Sequence, residues 1–526
     1  MGASLTDAPH PWSTHHDRPR HSEHPTIPQP RRPRRVRRAP TDPTISFDVL
    51  LNGRPCADLT VLEDDTLTLR YESAWTNREE ASDDPEAFPL SPNLPLTARS
   101  AGPGVEAFFE NLLPEGAARA ALARRLHVDP RQTVGLVYGI RLDFAGAVGL
   151  RVKPRGGAGK ASDSSEPAEL SEPDDEPAQA FRPIGDDELL LRLRDPARHP
   201  MWLWDGMEGS DGSEGFWPVT VAGVQAKLTV RKRDGRWGFP LEVDRAMTHI
   251  LKFSRPDMPT LELNEFLTMR LAEKSGLPTA VVKLVEVGGS DGAETFRILE
   301  VERFDRIDRI DRSLEPDGRI LRRHVVDACQ ALGKSVFRKY ERPFGDGRDV
   351  RDARIGVSWP MVTDLADIAA VRAAFTEALW EGFVFNQIVR NSDAHGKNWS
   401  FFVGPEGLTL TPLYDLVNVA VMRDLYLPQL DTALAMAVGD EFLWEAVRPA
   451  DWVASADDCG LPLWQLAAIM ERMAGRVRAA LADFSDVLVE SRIRPEEAAF
   501  VGAWRRSVEE GLRKMDAWRA GVEQAI

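Results

Sequence analysis

The stretch VRNSDAHGKNWSFF, residues 389–402, decides how the rest of the chain is read. It gathers Asp393, His395, Lys397 and Asn398 within six residues, then passes at once to Trp399, Phe401 and Phe402. Apolar segments lie on both sides, so the polar cluster sits where one buried element ends and the next begins. A polar turn of no special role has this look. So does a loop that presents a base from one side and an oxygen ligand from the other.

Asp393 and Asn398 are five residues apart. That is the spacing at which a kinase catalytic loop sets a base for the acceptor hydroxyl and an amide for a metal. Phosphoryl transfer from ATP asks for little covalent chemistry: phosphates held, magnesium placed, a hydroxyl oriented in line. Other pieces stand in the matching order. Asp415, in LTLTPLYDLVN, follows an expected strand pair and offers a second hard oxygen ligand for Mg2+ beside Asn398. Lys397 is placed where a cation could neutralise the transferring phosphate. TVAGVQAK offers Gly223 and backbone N–H groups to phosphate. Lys252, alone in the apolar HILKF, invites an anionic partner because burying an unpaired ammonium is costly. Glu302 and Phe304, in EVERFDR, are expected at the crossing between lobes where adenine sits. Each piece alone has an ordinary reading: a turn, a snorkelling lysine, a core aromatic. Their order raises the reading. The absence of H-R-D and D-F-G excludes an ordinary eukaryotic-type kinase.

The chain has 526 residues, 43% of them hydrophobic, enough for several domains. No run approaches a membrane span. Cys56, Cys329 and Cys459 are scattered, without metal spacing or a disulfide framework, which fits a reducing cytoplasm. The net charge of −16 disfavours broad contact with nucleic acid or anionic lipid. Residues 1–44 differ, with eight arginines, many prolines and only four acids. We expect a disordered tail: solvated spacer, upstream annotation error, or an arm touching nucleic acid. No apolar segment follows the arginines, so the pattern is not a secretory signal.

Residues 45–154 read as a small β-rich domain with a hairpin at Asn52 and Gly53, two helices split by a Pro-Glu-Gly break, and a closing strand. Residues 155–195 are expected to be an acidic linker, and 206–215 a flexible loop. Residues 196–310 read as a strand-rich lobe with one helix ending near Gly276, and 311–526 as a helical lobe. The expected class is α+β, with a two-lobed protein-kinase-like fold behind a small β-rich domain.

FFENLLPEG, VAGVQAKL, HILKF, NEFLTMRLAEKSGLP, VERFDR, NSDAHGKNWSFF and LTPLYDLVN together resemble the HipA family across about residues 45–520. The resemblance implies a serine/threonine-protein kinase toxin of a HipA–HipB type II toxin–antitoxin module. The family's best-known target is glutamyl-tRNA synthetase, whose phosphorylation stops charging and growth. Its antitoxin is a small helix-turn-helix dimer that binds operator DNA. Carried over by motif, Asp393 looks like the catalytic base, with Asn398 and Asp415 as Mg2+ ligands. Ala222, Gly223, Val224, Gln225, Ala226, Lys227, Lys252, Glu302, Arg303, Phe304, His395, Gly396, Lys397, Asn398, Tyr414 and Asp415 would line the ATP site. Thr220 stands where the family self-phosphorylates a serine. The arginine-rich tail and the enlarged segments at 155–185 and 206–215 depart from the family pattern and leave the target open. Two rivals remain. The D-x-H-x-x-N string also resembles phosphoinositide-kinase loops, so a lipid or small-molecule acceptor is one; a non-catalytic nucleotide-binding regulator is the other. The acidic balance and the lack of a basic amphipathic helix disfavour lipid.

Overall fold

Asn52 and Gly53 both take positive φ, 49° and 79°, the geometry a two-residue hairpin needs to match strand twist. They join strands Ile45–Leu51 and Arg54–Val61. Leu67–Tyr71, Ser100–Ala101 and Val148–Val152 complete a five-stranded antiparallel sheet. Alternate residues Phe47, Val49 and Leu51 are buried, in one core with Phe108 and Phe109 of helix Pro103–Glu110. The next helix, Gly116–Arg125, begins after the expected break. The molecule is seen through a computed structural model that describes residues 45–76, 87–96, 99–140, 144–153, 181–194, 207–208, 214–215, 227–240, 246–254, 258–288, 295–307 and 321–526. The expected tail, and Thr220 with Ala222, Gly223, Val224, Gln225 and Ala226, lie outside the described residues.

The second sheet has six antiparallel strands in the order Val282–Gly288, Thr295–Glu302, His249–Phe253, Lys227–Arg233, Arg236–Pro240 and Phe181–Pro183. Its edge corrects the expected boundaries. Phe181–Pro183 pairs with Arg236–Pro240, and helix Asp186–Arg194 buries Leu189 and Leu190 in the same core. This lobe therefore begins near Phe181 rather than at 196, because an apolar stripe sits inside the acidic segment. Of the loop expected at 206–215, Met207–Glu208 and Glu214–Gly215 pair with each other. Helix Leu261–Lys274 packs against the sheet and gives way to Gly276 at φ 78°.

The third unit is helical, as expected, around a small sheet of Val325–Asp327, Ser400–Gly404 and Gly407–Leu410. Helices Arg372–Ile388, Leu463–Ala482 and Ala498–Glu523 pack on one another. Their core is aromatic. Trp359 stacks on Phe383 at 4.1 Å between ring centroids and meets Trp399 at 5.0 Å. Removing such a ring costs about 3–5 kcal/mol, so Trp399 pins the end of the polar cluster to the centre of the lobe. No helix among the described residues is long and apolar enough to cross a membrane.

A buried ionic knot joins the first unit to the second. Asp305 accepts from Arg303, Arg306 and the Gly146 N–H, while both arginines also donate to the Phe144 carbonyl. Burial pushes the Asp305 carboxyl up, but the two guanidiniums overcome this and hold it well below the usual range.

Candidate functional site

Helix Arg372–Ile388 ends at the polar cluster, and Arg390 makes the exit with a φ of 55°. A left-handed arginine costs about 1–2 kcal/mol, and this one is held by its partners. Its guanidinium binds Glu510 and Glu445 at 2.8 Å each and lies over the Trp444 ring. The loop then folds on itself. Asn391 bonds the Asn386 side chain, the His395 N–H reaches the Asp393 carbonyl at 2.8 Å, and the Asn398 amide reaches that same carbonyl at 2.9 Å. This last bond uses the amide nitrogen of Asn398 and leaves its oxygen as an acceptor. Gly396 sits where a Cβ would lie 2.8 Å from Val357, and its N–H donates to the Lys339 carbonyl.

Asp393 is half-buried, and the Tyr340 hydroxyl donates to its Oδ1 at 2.6 Å. Burial raises its pKa to about 6, against the opposing pull of the Tyr340 bond and Lys339. His395 meets the Tyr340 ring edge to face at 5.0 Å. Its imidazole is neutral: burial lowers it to about 3, and its Nδ1 is buried without a hydrogen-bond partner.

Across the cavity stands Lys252. The ammonium meets Glu265 at 2.5 Å and also contacts Asp415. Burial opposes its charge, but the two carboxylates raise its pKa. Asp415 takes a φ of 56° and holds a pKa of about 2, because Lys252 and Lys227 outweigh its burial. Lys227 is the register partner of Lys252 on the next strand, and burial lowers it to about 8. Glu265 is pushed up to about 7 by burial, against Lys252. Its helix is aimed by a reciprocal pair: Asn264 donates to the Asn418 carbonyl, and the Asn418 N–H to Asn264 Oδ1, both at 2.9 Å.

Lys252, Lys227, Asp415, Asp393, His395, Lys397, Asn398, Tyr414, Glu302, Arg303 and Phe304 all line one cavity of about 700 Å3. That is the size of a small-molecule site. Ile250, Ala280 and Val301 give it an apolar wall. Phe304 packs on Tyr414 at 5.6 Å and on Phe402 at 6.0 Å.

Several side chains do something other than the sequence suggested. Lys397 does not reach toward Asp415; its ammonium bonds Asp327 at 2.6 Å and Asn111 at 3.0 Å, a buried tie to the first unit. Arg303 is spent on Asp305. Lys252 has two protein carboxylates and needs no ligand to balance it. The sequence reading missed Glu265, Tyr340, Asp327, and Glu115, which bonds Lys339 at 2.7 Å and lines the cavity from the first unit. A search for an acid on the helix after the strand lysine would have narrowed the choice to Glu262, Glu265 and Glu273, since kinases pair those two groups.

The donor set suits a hard cation: the Asn398 amide oxygen and the Asp415 carboxylate are hard oxygen donors, and both residues line the cavity.

Comparison with known proteins gives this fold a family. The HipA N-terminal domain profile matches residues 47–151, and the HipA-like C-terminal domain profile matches residues 219–481. The chain is 36% identical to the serine/threonine-protein kinase toxin HipA of Shewanella oneidensis over 84% of its own length and 89% of that protein. It is 30% identical to the putative kinase Y4mE of Sinorhizobium fredii, covering 85% of the chain and 94% of that protein. The solved complex of Shewanella oneidensis HipA with HipB and operator DNA superposes with a TM-score of 0.72 at 33% identity, covering 90% of this chain and 99% of that one. With both domain profiles matched and the lobed fold superposed, the chain belongs to the HipA family and is a serine/threonine-protein kinase that uses ATP.

Proposed function

We propose that the chain is the kinase toxin of a type II toxin–antitoxin module, transferring the γ-phosphate of ATP to a serine or threonine of a cytoplasmic protein. A tRNA synthetase, glutamyl-tRNA synthetase foremost, is the favoured target, with arrest of translation and growth as the outcome. A HipB-like helix-turn-helix antitoxin is the partner, and operator DNA is reached mainly through it. The observation that carries the reading is the meeting of Asp393, Asn398, Asp415 and Lys252 around one cavity.

In this reading Asp393 accepts the proton of the acceptor hydroxyl as its oxygen bonds phosphorus and the bond to ADP breaks. A pKa of about 6 suits a base at neutral pH. Lys252, held by Glu265, meets the phosphates and offsets their charge. The backbone from Glu302 to Phe304 faces adenine, with Phe304 and Tyr414 as its floor. By motif, residues 222–226 are assigned to the phosphates and Thr220 to autophosphorylation. Asn398 and Asp415 would hold Mg2+, which would supply positive charge against the phosphates.

Tyr340 tunes the base. Replacing it with Phe removes a bond that favours the carboxylate, so the Asp393 pKa rises further. Activity of the variant then falls more at pH ~6 than at pH ~8. A pH–rate profile with an unmoved acid limb contradicts the assignment.

The function is tested by incubating cell lysate with labelled ATP and purified enzyme. We expect one principal labelled protein, carrying phosphoserine or phosphothreonine and identified as a tRNA synthetase. Label on a protein outside translation displaces the target assignment. Label only in the lipid or metabolite fraction displaces the toxin reading.

A further inference from the structure

Beside the catalytic loop runs a surface strip that keeps large apolar side chains in water. Phe337 and Phe344 are 62% and 52% exposed, and their rings touch at 5.9 Å between centroids. Tyr340, between them in sequence, is half-exposed, and its hydroxyl is the one that reaches Asp393. Ile355 is also exposed, on a neighbouring strip bonded alongside: the Gly356 N–H donates to the Glu341 carbonyl, and the Val357 N–H to the Arg338 carbonyl. Trp464 and Val489 are exposed too, but unlike Phe344, whose chain neighbours Pro343 and Gly345 line the cavity, they have no neighbour in the chain that lines it.

The strip is clamped. Its Lys339 carbonyl accepts from Gly396 at 2.9 Å, its Glu341 N–H donates to Ala435 at 2.9 Å, and Lys339 is paired with Glu115. The phenylalanines are therefore presented to water by an ordered frame. Two contiguous exposed rings forgo the burial that stabilises aromatic residues elsewhere, and such patches mark interaction surfaces.

The position of the patch says what covers it. Tyr340, Arg342, Pro343 and Gly345 line the cavity, and Phe344 stands between two of them in the chain. A polypeptide that brings a hydroxyl to Asp393 comes close to this strip, because its Tyr340 bonds Asp393. We propose that Phe337 and Phe344, flanked by Ile355, form the docking surface for the acceptor polypeptide and receive an apolar side chain close to its serine or threonine. This rests on the reading of Asp393 as the base.

The test is a library of serine-centred peptides, each varied at one flanking position, phosphorylated by the full chain. At one position the wild type is expected to use Leu, Ile or Phe about tenfold better than Gly or Asp. Phe337→Ala with Phe344→Ala flattens this to within about twofold, while binding of an ATP analogue and the melting temperature stay unchanged. Phe344→Leu keeps the preference. A wild type without an apolar preference overturns the proposal, as does a double variant that retains it, even if that variant loses a protein partner. Failure of the underlying reading looks different: Asp393→Ala would then still phosphorylate the peptides.

Discussion

Asp393→Asn yields a folded protein that binds ATP and transfers phosphate about 10²–10⁴-fold more slowly than wild type, the range a positioned base supplies. The amide matches the carboxylate in shape, and its oxygen still accepts from Tyr340, so the loop is kept. What is lost is the oxygen that takes the proton. The check is kcat for peptide or protein acceptor, with circular dichroism to confirm the fold. Wild-type turnover in a folded variant removes Asp393 from the role. The buried Nδ1 of His395, without a hydrogen-bond partner, would then be the next group to test.

Lys252→Met is expected to abolish transfer and to destabilise the protein by about 3–5 kcal/mol, because it strands a buried carboxylate. Glu265 has a side chain only 2% exposed and is pushed to about 7 even with the ammonium beside it. Without Lys252 it rises further. A carboxylate whose folded pKa lies above its unfolded value takes stability away as pH climbs from the unfolded value through the folded one. Relative to wild type the Glu265 part of the loss therefore sets in as pH passes about 7 and grows until pH exceeds the variant's own, higher value. Urea melts of wild type and variant at two pH values read this directly. A loss that is equal at both, or larger in acid, contradicts the pairing. Restoring stability with Lys252→Met plus Glu265→Leu, but not activity, separates the two roles of the lysine.

The polar loop was legible because its neighbours are simple. A helix of apolar residues ends at Val389 and a buried strand starts at Ser400, so the polar residues between could only be a turn or a site. The hairpin at Asn52, the strand around Lys252 and the stop at Gly276 were readable for the same local reason. Glu265 was not. Its helix buries Glu262 as well as Glu265, so periodicity could not choose which acid faces the lysine. Tyr340, Asp327 and Glu115 were beyond reach because their bonds span 53, 70 and 224 residues. Lys397 was misjudged for a related reason. Sequence gives its position on the loop but not its direction, and Asp327 with Asn111 turns the ammonium toward the first unit. The lobe boundary slipped because Leu189 and Leu190 form a short apolar stripe among acids.

On the proposed function, Lys252, Asn398 and Asp415 make one nucleotide-and-metal site. Calorimetry with a non-hydrolysable ATP analogue tests it most directly, with and without Mg2+, for wild type, Lys252→Met and Asp415→Asn. The account predicts binding at one site per chain that weakens by about tenfold or more when Mg2+ is withheld. It predicts that Lys252→Met binds weakly in both conditions, and that Asp415→Asn no longer responds to Mg2+. Binding that ignores Mg2+ and both substitutions would place the nucleotide elsewhere and contradict the account.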